Sequence, residues 1–265
     1  MIVIGYICSV IIGLTLGVLG SGGSILTVPV LVYLMHFNPI IATGYSLFIV
    51  GLTSFSGAIS YMRKGLVDYK TAIAFALPSF VSVYLVRRFF LPLIPPVIFK
   101  TEQFFLSKEI FIMLVFAALM ISAAFSMIRD KKYNEPEKKE IGHFNYPMIL
   151  MQGFLVGAIT GLVSVGGGFL IIPSLVLFAR VPIKMAVGTS LIIIATNAFI
   201  GFMGDLHNEA VIDWIFLMKF CVFSIIGIII GSNIARFIPG PRLKPIFGWF
   251  ILFMGCYIVI RELFF

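Results

Sequence analysis

Long apolar stretches separated by short polar segments make up most of the chain. In windows of about 19 residues, eight such stretches stand out. Most are long enough to cross the hydrocarbon core of a bilayer, which takes about 20 helical residues. The pattern predicts an all-α polytopic membrane protein whose apolar stretches cover residues 4–35, 40–62, 71–99, 109–128, 147–178, 184–204, 211–235 and 243–265.

The second half of the chain repeats the first. A gapless shift of 144 positions aligns glycines, a leucine and a proline: Gly13, Gly17, Gly22, Gly23, Leu26 and Pro29 fall on Gly157, Gly161, Gly166, Gly167, Leu170 and Pro173. The register continues from Ala42, Gly44, Ser46, Leu47 and Gly57 to Ala186, Gly188, Ser190, Leu191 and Gly201, and a one-residue slip then brings Asp68 onto Asp213. We therefore divide the chain into a first transmembrane repeat (1–128), a cytoplasmic polar linker (129–144) and a second transmembrane repeat (145–265).

Loop charge separates two membrane arrangements. If every stretch crosses once, the two sides collect 10 and 9 of the 19 basic residues, which is no bias. If stretches 4–35 and 147–178 each turn back at a glycine cluster, one side holds 13 of the 19. Cytoplasmic loops are rich in Lys and Arg, so the second arrangement is favoured. It gives each half a Gly-broken re-entrant helical hairpin plus three transmembrane helices, and it makes the halves inverted repeats.

Composition supports a membrane location and excludes some partners. Hydrophobic residues make up 60% of the chain and charged residues 11%, far from the values of a soluble domain. The formal net charge of +8 lies mostly in short loops between spans, so we do not expect nucleic acid binding. The three cysteines lack metal-ligand spacing, so neither a disulfide framework nor a zinc site is indicated. We expect no cofactor. The predicted location is the cell inner membrane, with multiple passes.

The glycine clusters carry the candidate substrate site. A helix break inside a membrane is tolerated only where protein or a wet cavity surrounds it. The short helix after each break exposes unpaired N–H groups that favour an anion, and discontinuous helices of transporters use the same device. The predicted substrate-binding residues are Ser21, Gly22, Gly23, Ser24, Thr43, Tyr45, Ser46, Ser164, Gly166, Gly167, Gly168, Thr189, Ser190 and Asn197. The alternative is that the glycines only let helices pack closely, which we favour for the pairs spaced by four residues.

Charged residues are few within the spans. Arg87 and Arg88 end the third stretch and are candidates for the pathway mouth, although such a pair can also simply extend to the membrane interface. Carboxylates fall only at span ends, which argues against a cation channel or a carboxylate proton relay. Neither a serine–histidine pair nor paired intramembrane aspartates occur, so we predict that the chain is not an enzyme.

The glycine-rich segments resemble those of the TauE/SafE family of sulfite and organosulfonate exporters. The resemblance lies in the runs from Gly17 to Ser24 with Pro29 and from Gly161 to Gly168 with Pro173, each followed by Ala-x-Gly-x-Ser-Leu. It covers essentially the whole chain and implies transport of sulfite, thiosulfate or an organosulfonate. One departure is that Ser21 and Ser24 stand where the second half has Val165 and Gly168.

Sequence and resemblance together predict a transporter that exports a small sulfur-containing anion across the bacterial inner membrane. Two alternatives stay open: uptake of a related anion by ion-coupled symport, and a membrane assembly or redox-partner protein that transports nothing. The expected partners are a small inorganic or organosulfur anion and the lipid bilayer. A homodimer is compatible with the sequence.

Overall fold

A computed structural model describes residues 2–20, 22–90, 93, 95, 97–101, 104–129, 146–163, 168–177, 179, 181–205 and 212–264. The first half contains α1 (Ile2–Leu19), α2 (Gly22–Pro29) with a π-helical continuation (Val30–Leu34), α3 (Pro39–Arg63), α4 (Tyr69–Leu85) with a π-helical continuation (Val86–Phe90), and α5 (Lys108–Arg129). The second half contains α6 (Tyr146–Val163), α7 (Gly168–Leu177), α8 (Ile183–Asp205), α9 (Trp214–Ile234) with a 3₁₀ turn (Ala235–Phe237), and α10 (Gly240–Phe264). The helical fold class is therefore confirmed.

A short β-hairpin departs from the predicted pattern. Strands β1 (Val97–Thr101) and β2 (Phe104–Ser107) pair antiparallel in what was predicted to be the end of the third apolar stretch and the start of a loop. Prolines at 92, 95 and 96 cannot continue a helical hydrogen-bond ladder. The residues that follow are rich in β-branched and aromatic types, which favour strands. Stretch 71–99 was thus predicted too long, because hydropathy alone does not distinguish a strand from a helix.

Four helices are long and apolar enough to span a membrane, by length and composition, within the described residues. They cover Ile41–Arg63, Tyr69–Phe90, Ile183–Gly204 and Trp214–Phe237, two in each half. Large apolar side chains on their outer faces stay exposed, such as Leu77 at 61% and Ile215 at 70%. A water-soluble protein would bury such surface, so these faces suit contact with lipid.

Aspartates begin the second span of each half. The Asp68 carboxylate accepts hydrogen bonds from the backbone N–H groups of Lys70 (3.1 Å) and Thr71 (3.2 Å) at the start of α4. The Asp213 carboxylate accepts one from Phe216 N–H (3.0 Å) at the start of α9. Each cap satisfies helix-end donors that have no partner within the helix. The predicted position of both aspartates at span ends is confirmed.

Glycines bring helices of opposite halves into backbone contact. A side chain at Gly13 on α1 would collide with the Ser224 carbonyl of α9, and one at Gly157 on α6 would collide with the Ser79 carbonyl of α4. Gly13 and Gly157 are equivalent in the repeat, and so are Ser224 and Ser79. The contact between α1 and α9 therefore has its counterpart between α6 and α4.

The same pair of equivalent contacts, between α1 and α9 and between α6 and α4, recurs one turn further along these helices. Gly17 lies against Ile228, and Gly161 lies against Val83. The α9 helix adds its own close contacts with α1 at Gly227 and Gly231. Glycines spaced by four residues thus serve helix packing, as the sequence predicts.

The equivalent helices α3 and α8 run antiparallel through the core. A Cβ atom at Gly57 would lie 3.2 Å from Leu191 Cδ1, and one at Gly201 would lie 3.3 Å from Leu47 Cδ1. Gly57 is equivalent to Gly201, and Leu47 is equivalent to Leu191. Late residues of α3 thus meet early residues of α8 and the reverse, as expected of two antiparallel helices.

The first long stretch is a helical hairpin in the structure. A side chain at Gly23, near the start of α2, would collide with the Ile12 carbonyl near the end of α1. A Cβ atom at Gly5, near the start of α1, would lie 2.7 Å from Met35 Sδ, just after the π-helical continuation of α2. The two helices therefore run antiparallel from a turn at Gly20. In the second half, Ser174 on α7 donates a hydrogen bond to Gln152 Oε1 on α6 (3.3 Å). This bond likewise joins α6 and α7 at their ends away from the connection between them.

The glycine contacts predict the effect of single methyl groups. We expect Gly13→Ala and Gly157→Ala each to destabilise the folded protein by about 1–3 kcal/mol, because the helices must separate to admit the side chain. Gly204→Ala is the control, since nothing lies within 4 Å of its Cβ position. Thermal unfolding of the purified variants in detergent measures the effect. Wild-type stability in Gly157→Ala would contradict the described contact between α4 and α6.

Candidate functional site

The predicted helix break of the first half lies at Gly20. Gly20 has φ +74°, a conformation that glycine adopts without the strain of other residues. Its N–H donates to Leu16 O (2.8 Å) and closes α1, and α2 begins at Gly22. The interruption thus lies at the start of the predicted glycine cluster, and Gly22, Gly23 and Ser24, which were predicted to form the break, belong to α2.

Residues of the second half surround this break. A Cβ atom at Gly20 would lie 3.0 Å from Ser190 Oγ and 3.1 Å from Val187 Cα on α8, and 2.8 Å from Ile172 Cδ1 on α7. Ser190 is a predicted substrate-binding residue because its hydroxyl lies near the glycine cluster of the second half in the sequence. The structure brings it to the break of the opposite half.

The second predicted break is described only at its edges. Helix α6 ends at Val163 and α7 begins at Gly168. Gly22 likewise begins α2 in the first half. The predicted site residues Ser21, Ser164, Gly166 and Gly167 lie outside the described residues.

Two other predicted hydroxyls donate hydrogen bonds into their own helices. Ser46 Oγ donates to Thr43 O, and Ser190 Oγ donates to Val187 O, both at 2.8 Å. These equivalent serines therefore present oxygen lone pairs, rather than protons, to their surroundings in this conformation. Ser24 is fully buried, and Gly23 is buried against α1.

Two further predicted site residues accept hydrogen bonds from the backbone of the helix-capping aspartates in the opposite half. The Asp213 N–H donates to Tyr45 Oη (2.7 Å), and the Asp68 N–H donates to Thr189 Oγ1 (3.0 Å). Tyr45 and Thr189 are equivalent in the repeat, as are the two aspartates. Because α3 and α8 are antiparallel, the two bonds lie at opposite ends of the core. The structure therefore separates these residues, which the sequence placed in one site.

A polar layer crosses the middle of the spans. Asn197, a predicted site residue, donates from Nδ2 to Ser79 Oγ (2.7 Å), and Thr53 donates to Ser224 Oγ (2.9 Å). Thr53 is equivalent to Asn197, and Ser79 to Ser224. The list of candidate residues from the sequence missed Thr53, Ser79 and Ser224. The repeat register could have found Thr53, because it places Thr53 on Asn197.

Three buried polar atoms near this layer have no hydrogen-bond partner among the described residues. They are Ser54 Oγ, Ser82 Oγ and Asn197 Oδ1. Buried polar atoms in native proteins are nearly always bonded to protein or to ordered water. These three atoms therefore mark the region of the spans that would gain most from a water molecule or a polar ligand.

The two arginines at the end of the third stretch differ sharply. Arg87 is only 7% exposed, and its Nη1 lies 3.5 Å from Gly201 O on α8. Arg88 is exposed. Only Arg87 points into the helix bundle, so the structure separates two residues that the sequence treats alike.

The two ends of the core differ chemically. Around Tyr45, rings of Phe37 and Phe216 stack or tilt with centroids 5.1–6.1 Å apart. Positions equivalent to Tyr45 and Phe216 at the other end are Thr189 and Thr71. Aromatic contacts thus cover one end, and hydroxyl groups lie at the other.

The described residues offer no evident metal site. The three cysteines are free thiols, at Cys8, Cys221 and Cys256. Across the described ranges, no group of three or more His, Cys, Asp or Glu side chains is placed to hold a metal ion. The polar groups that the helices do bring together are hydroxyls, amides and backbone groups.

The hydrogen bonds that Tyr45 and Thr189 accept from the two aspartates predict a loss of folding stability when the accepting oxygen is removed. Tyr45→Phe and Thr189→Val each remove the acceptor of an aspartate N–H, so each should cost about 1 kcal/mol of stability. Thr196→Val is the control on α8, since its hydroxyl donates to its own helix at Ile192 O (2.9 Å). Thermal unfolding together with amide exchange at Asp68 and Asp213 gives the measurement. Unchanged exchange at both aspartates would contradict the two bonds.

Comparison with known proteins identifies the family. Residues 6–258 match the family described as sulfite exporter TauE/SafE. A "probable membrane transporter protein" of Xylella fastidiosa (strain 9a5c) is 29% identical over 259 residues, which cover 95% of this chain and 92% of that protein. The "probable membrane transporter protein" YunE of Bacillus subtilis (strain 168) is 25% identical over 286 residues, covering 98% of this chain and 99% of that protein. No solved structure shows a significant match. Because the family match spans nearly the whole chain and its helices can span a membrane, this protein belongs to the TauE/SafE family of membrane transporters.

Proposed function

We propose that the protein exports a small sulfur-containing anion, such as sulfite, thiosulfate or an organosulfonate, across the bacterial inner membrane. The observation that carries the proposal is the helix break at Gly20, which faces Ser190 and Ile172 of the opposite half. A break that is enclosed by both halves lies where a substrate would contact both. The name of the family supports the class of anion.

The proposal includes two inverted repeats. Equivalent helices α3 and α8 run antiparallel, so the pseudo-axis that relates them is perpendicular to their length. If both helices cross the bilayer, that axis lies in the membrane plane and the halves have opposite orientations. Transporters of this design hold substrate at the interface of the repeats, and the loop-charge bias supports the same orientation.

Each hairpin would supply an anion-binding helix start. The first N–H groups of α2 and α7 lack partners within their helices and carry partial positive charge. Gly22 and Gly168 begin these helices, and glycine leaves the N–H groups open to close approach. The unpartnered Asn197 Oδ1, Ser54 Oγ and Ser82 Oγ support a hydrated path nearby. In this proposal both hairpins are re-entrant, and Ser21, Ser24, Ser164, Gly166 and Gly167 complete the anion shell.

Export of an anion needs no second energy source. A cell interior about 100 mV negative drives out each unit of negative charge with about 2.3 kcal/mol, so a dianion gains about 4.6 kcal/mol. Coupled uptake would have to work against this field. We therefore favour export over symport.

Flux measurements test the proposed function directly. In proteoliposomes loaded with sulfite, thiosulfate or a sulfonate, we expect efflux that accelerates when a potassium diffusion potential makes the interior negative. Flux that requires an imposed sodium or proton gradient would instead indicate symport. Absence of flux, together with no thermal stabilisation by any of these anions, would support a protein that transports nothing.

The role of the Gly20 helix break in transport can be tested by adding a single methyl group at this position. Gly20→Ala introduces a side chain at positive φ, which costs about 1–2 kcal/mol, and directs it at Ser190 and Ile172. We expect anion efflux to fall by about tenfold while membrane insertion is unchanged. Gly204→Ala, at a helical glycine with open space around it, is the matched control. Wild-type flux in Gly20→Ala would remove the break from the mechanism.

A further inference from the structure

Helices α3 and α9 come from opposite halves and end at the same face of the bundle. Thr53 donates to Ser224 Oγ (2.9 Å), and two turns further along both helices Ser60 Oγ lies 3.0 Å from Ser232 Oγ. Contacts that advance in the same direction on both helices show that α3 and α9 run parallel. Their membrane spans therefore end side by side.

Three basic residues lie where these two spans end. The spans end at Arg63 and Phe237. Lys64 directly follows the first span, and Arg236 lies in the 3₁₀ turn after α9. The side chains of Arg63, Lys64 and Arg236 are exposed. The end of a span is where hydrocarbon meets the lipid headgroups, so these cations lie at headgroup depth.

Hydrogen bonds to the end of α9 hold Lys64 near Arg236. Lys64 Nζ donates to Ser232 O (2.8 Å) and to Asn233 Oδ1 (3.2 Å). These acceptors are neutral groups, so they leave the positive charge of Lys64 uncancelled. Partial burial lowers the pKa of Lys64, and the nearby charge of Arg236 lowers it further. The two cations therefore repel each other across the adjoining ends of α3 and α9.

Helix capping explains only one of these two cations. The last carbonyls of a helix carry partial negative charge and attract a cation, and Lys64 meets that need through Ser232 O. Arg236 adds a second positive charge, and its guanidinium lies over the exposed ring of Phe237, 4.5 Å from the centroid. A second, repelling cation at this place calls for an anionic partner.

Exposed apolar side chains lie on both helices within two turns of the cations. They include Ile59 and Met62 on α3, and Ile230 and Ile234 on α9. These side chains precede the span ends, so they lie at the depth of the lipid chains. A phospholipid presents an anionic phosphate next to apolar chains. The surface formed by α3 and α9 therefore matches such a molecule in both charge and polarity.

The equivalent positions in the other half are not basic. The repeat register places His207 and Asn208 where Arg63 and Lys64 stand, and α8, the equivalent of α3, ends at Asp205. The basic cluster is therefore not a consequence of the duplicated skeleton and distinguishes one face of the protein. Loop charge predicts that this face is cytoplasmic, and basic pockets between membrane helices on that side bind anionic headgroups.

We propose that the adjoining ends of α3 and α9 bind the phosphate of an anionic phospholipid through Lys64 and Arg236. Arg236 offers the phosphate two parallel N–H donors, and Lys64 acts as a point charge. The phosphate relieves the repulsion between the two cations, while the acyl chains lie along the exposed apolar side chains of the two helices. The bound lipid joins helices of opposite halves, and such a site does not depend on which solute the protein moves.

Thermal unfolding of the full chain in an uncharged detergent with added lipid tests the site. Phosphatidylglycerol and phosphatidylcholine with identical acyl chains separate the effect of headgroup charge from that of apolar contact, and inorganic phosphate separates a lipid from a free anion. We expect phosphatidylglycerol to raise Tm about 2–4 °C more than phosphatidylcholine does. K64Q and R236Q should each remove most of that difference, whereas K64R should keep it because the positive charge remains.

Two other exposed cations provide the controls. Arg63 is next to Lys64 but is not part of the proposed site, and Lys219 lies near the opposite end of α9. R63Q and K219Q should keep the wild-type difference between the two lipids. Equal stabilisation of the wild type by both lipids would overturn the proposal, and so would an equal loss in R63Q, which indicates diffuse attraction to any basic surface. Inorganic phosphate that stabilises as well as phosphatidylglycerol would also overturn it, because the occupant would then be a soluble anion. If K64Q does not fold, R236Q carries the test.

Discussion

A backbone N–H or C=O group without a partner costs several kcal/mol in hydrocarbon, so a membrane helix can be interrupted only where protein or water surrounds the break. Gly20 meets this requirement. Its N–H returns to Leu16, and side chains of α7 and α8 close around it. The absence of a Cβ atom allows both the positive φ and the close approach of Ser190. The antiparallel course of α2 beside α1 and the contact of this break with α7 and α8 depend on this one turn.

The halves share a skeleton but differ in chemistry. Contacts of Gly13 and Gly157, and hydrogen bonds of Thr53 and Asn197, exchange residue for residue between the repeats. The side chains at the two ends of the core do not: aromatic rings surround Tyr45, whereas threonines occupy the equivalent region. A transporter must present different barriers to the two sides of a membrane while keeping one central path. Equivalent backbones with unequal ends can provide this.

Much of the fold could be predicted because long spans leave a strong signal. The predicted stretches 40–62 and 184–204 agree closely with α3 and α8, and the glycine clusters mark the hairpin turn that the structure describes. The prediction failed at stretch 71–99, where average hydropathy could not separate α4 from the following β-hairpin. The candidate site was less predictable. Tyr45 and Thr189 were grouped with the glycine clusters from their place in the sequence, but antiparallel α3 and α8 carry them to opposite ends.

The sequence by itself determined the membrane character, the duplication and the positions of the breaks, because these depend on local composition and on a register that repeats along the chain. Only the tertiary structure decided which helices meet and which of two adjacent arginines points inward. Arg87 and Arg88 are equal in charge and almost equal in position, and the sequence cannot tell them apart. Their difference arises from the direction of each side chain relative to α8, where Gly201 leaves room for one guanidinium.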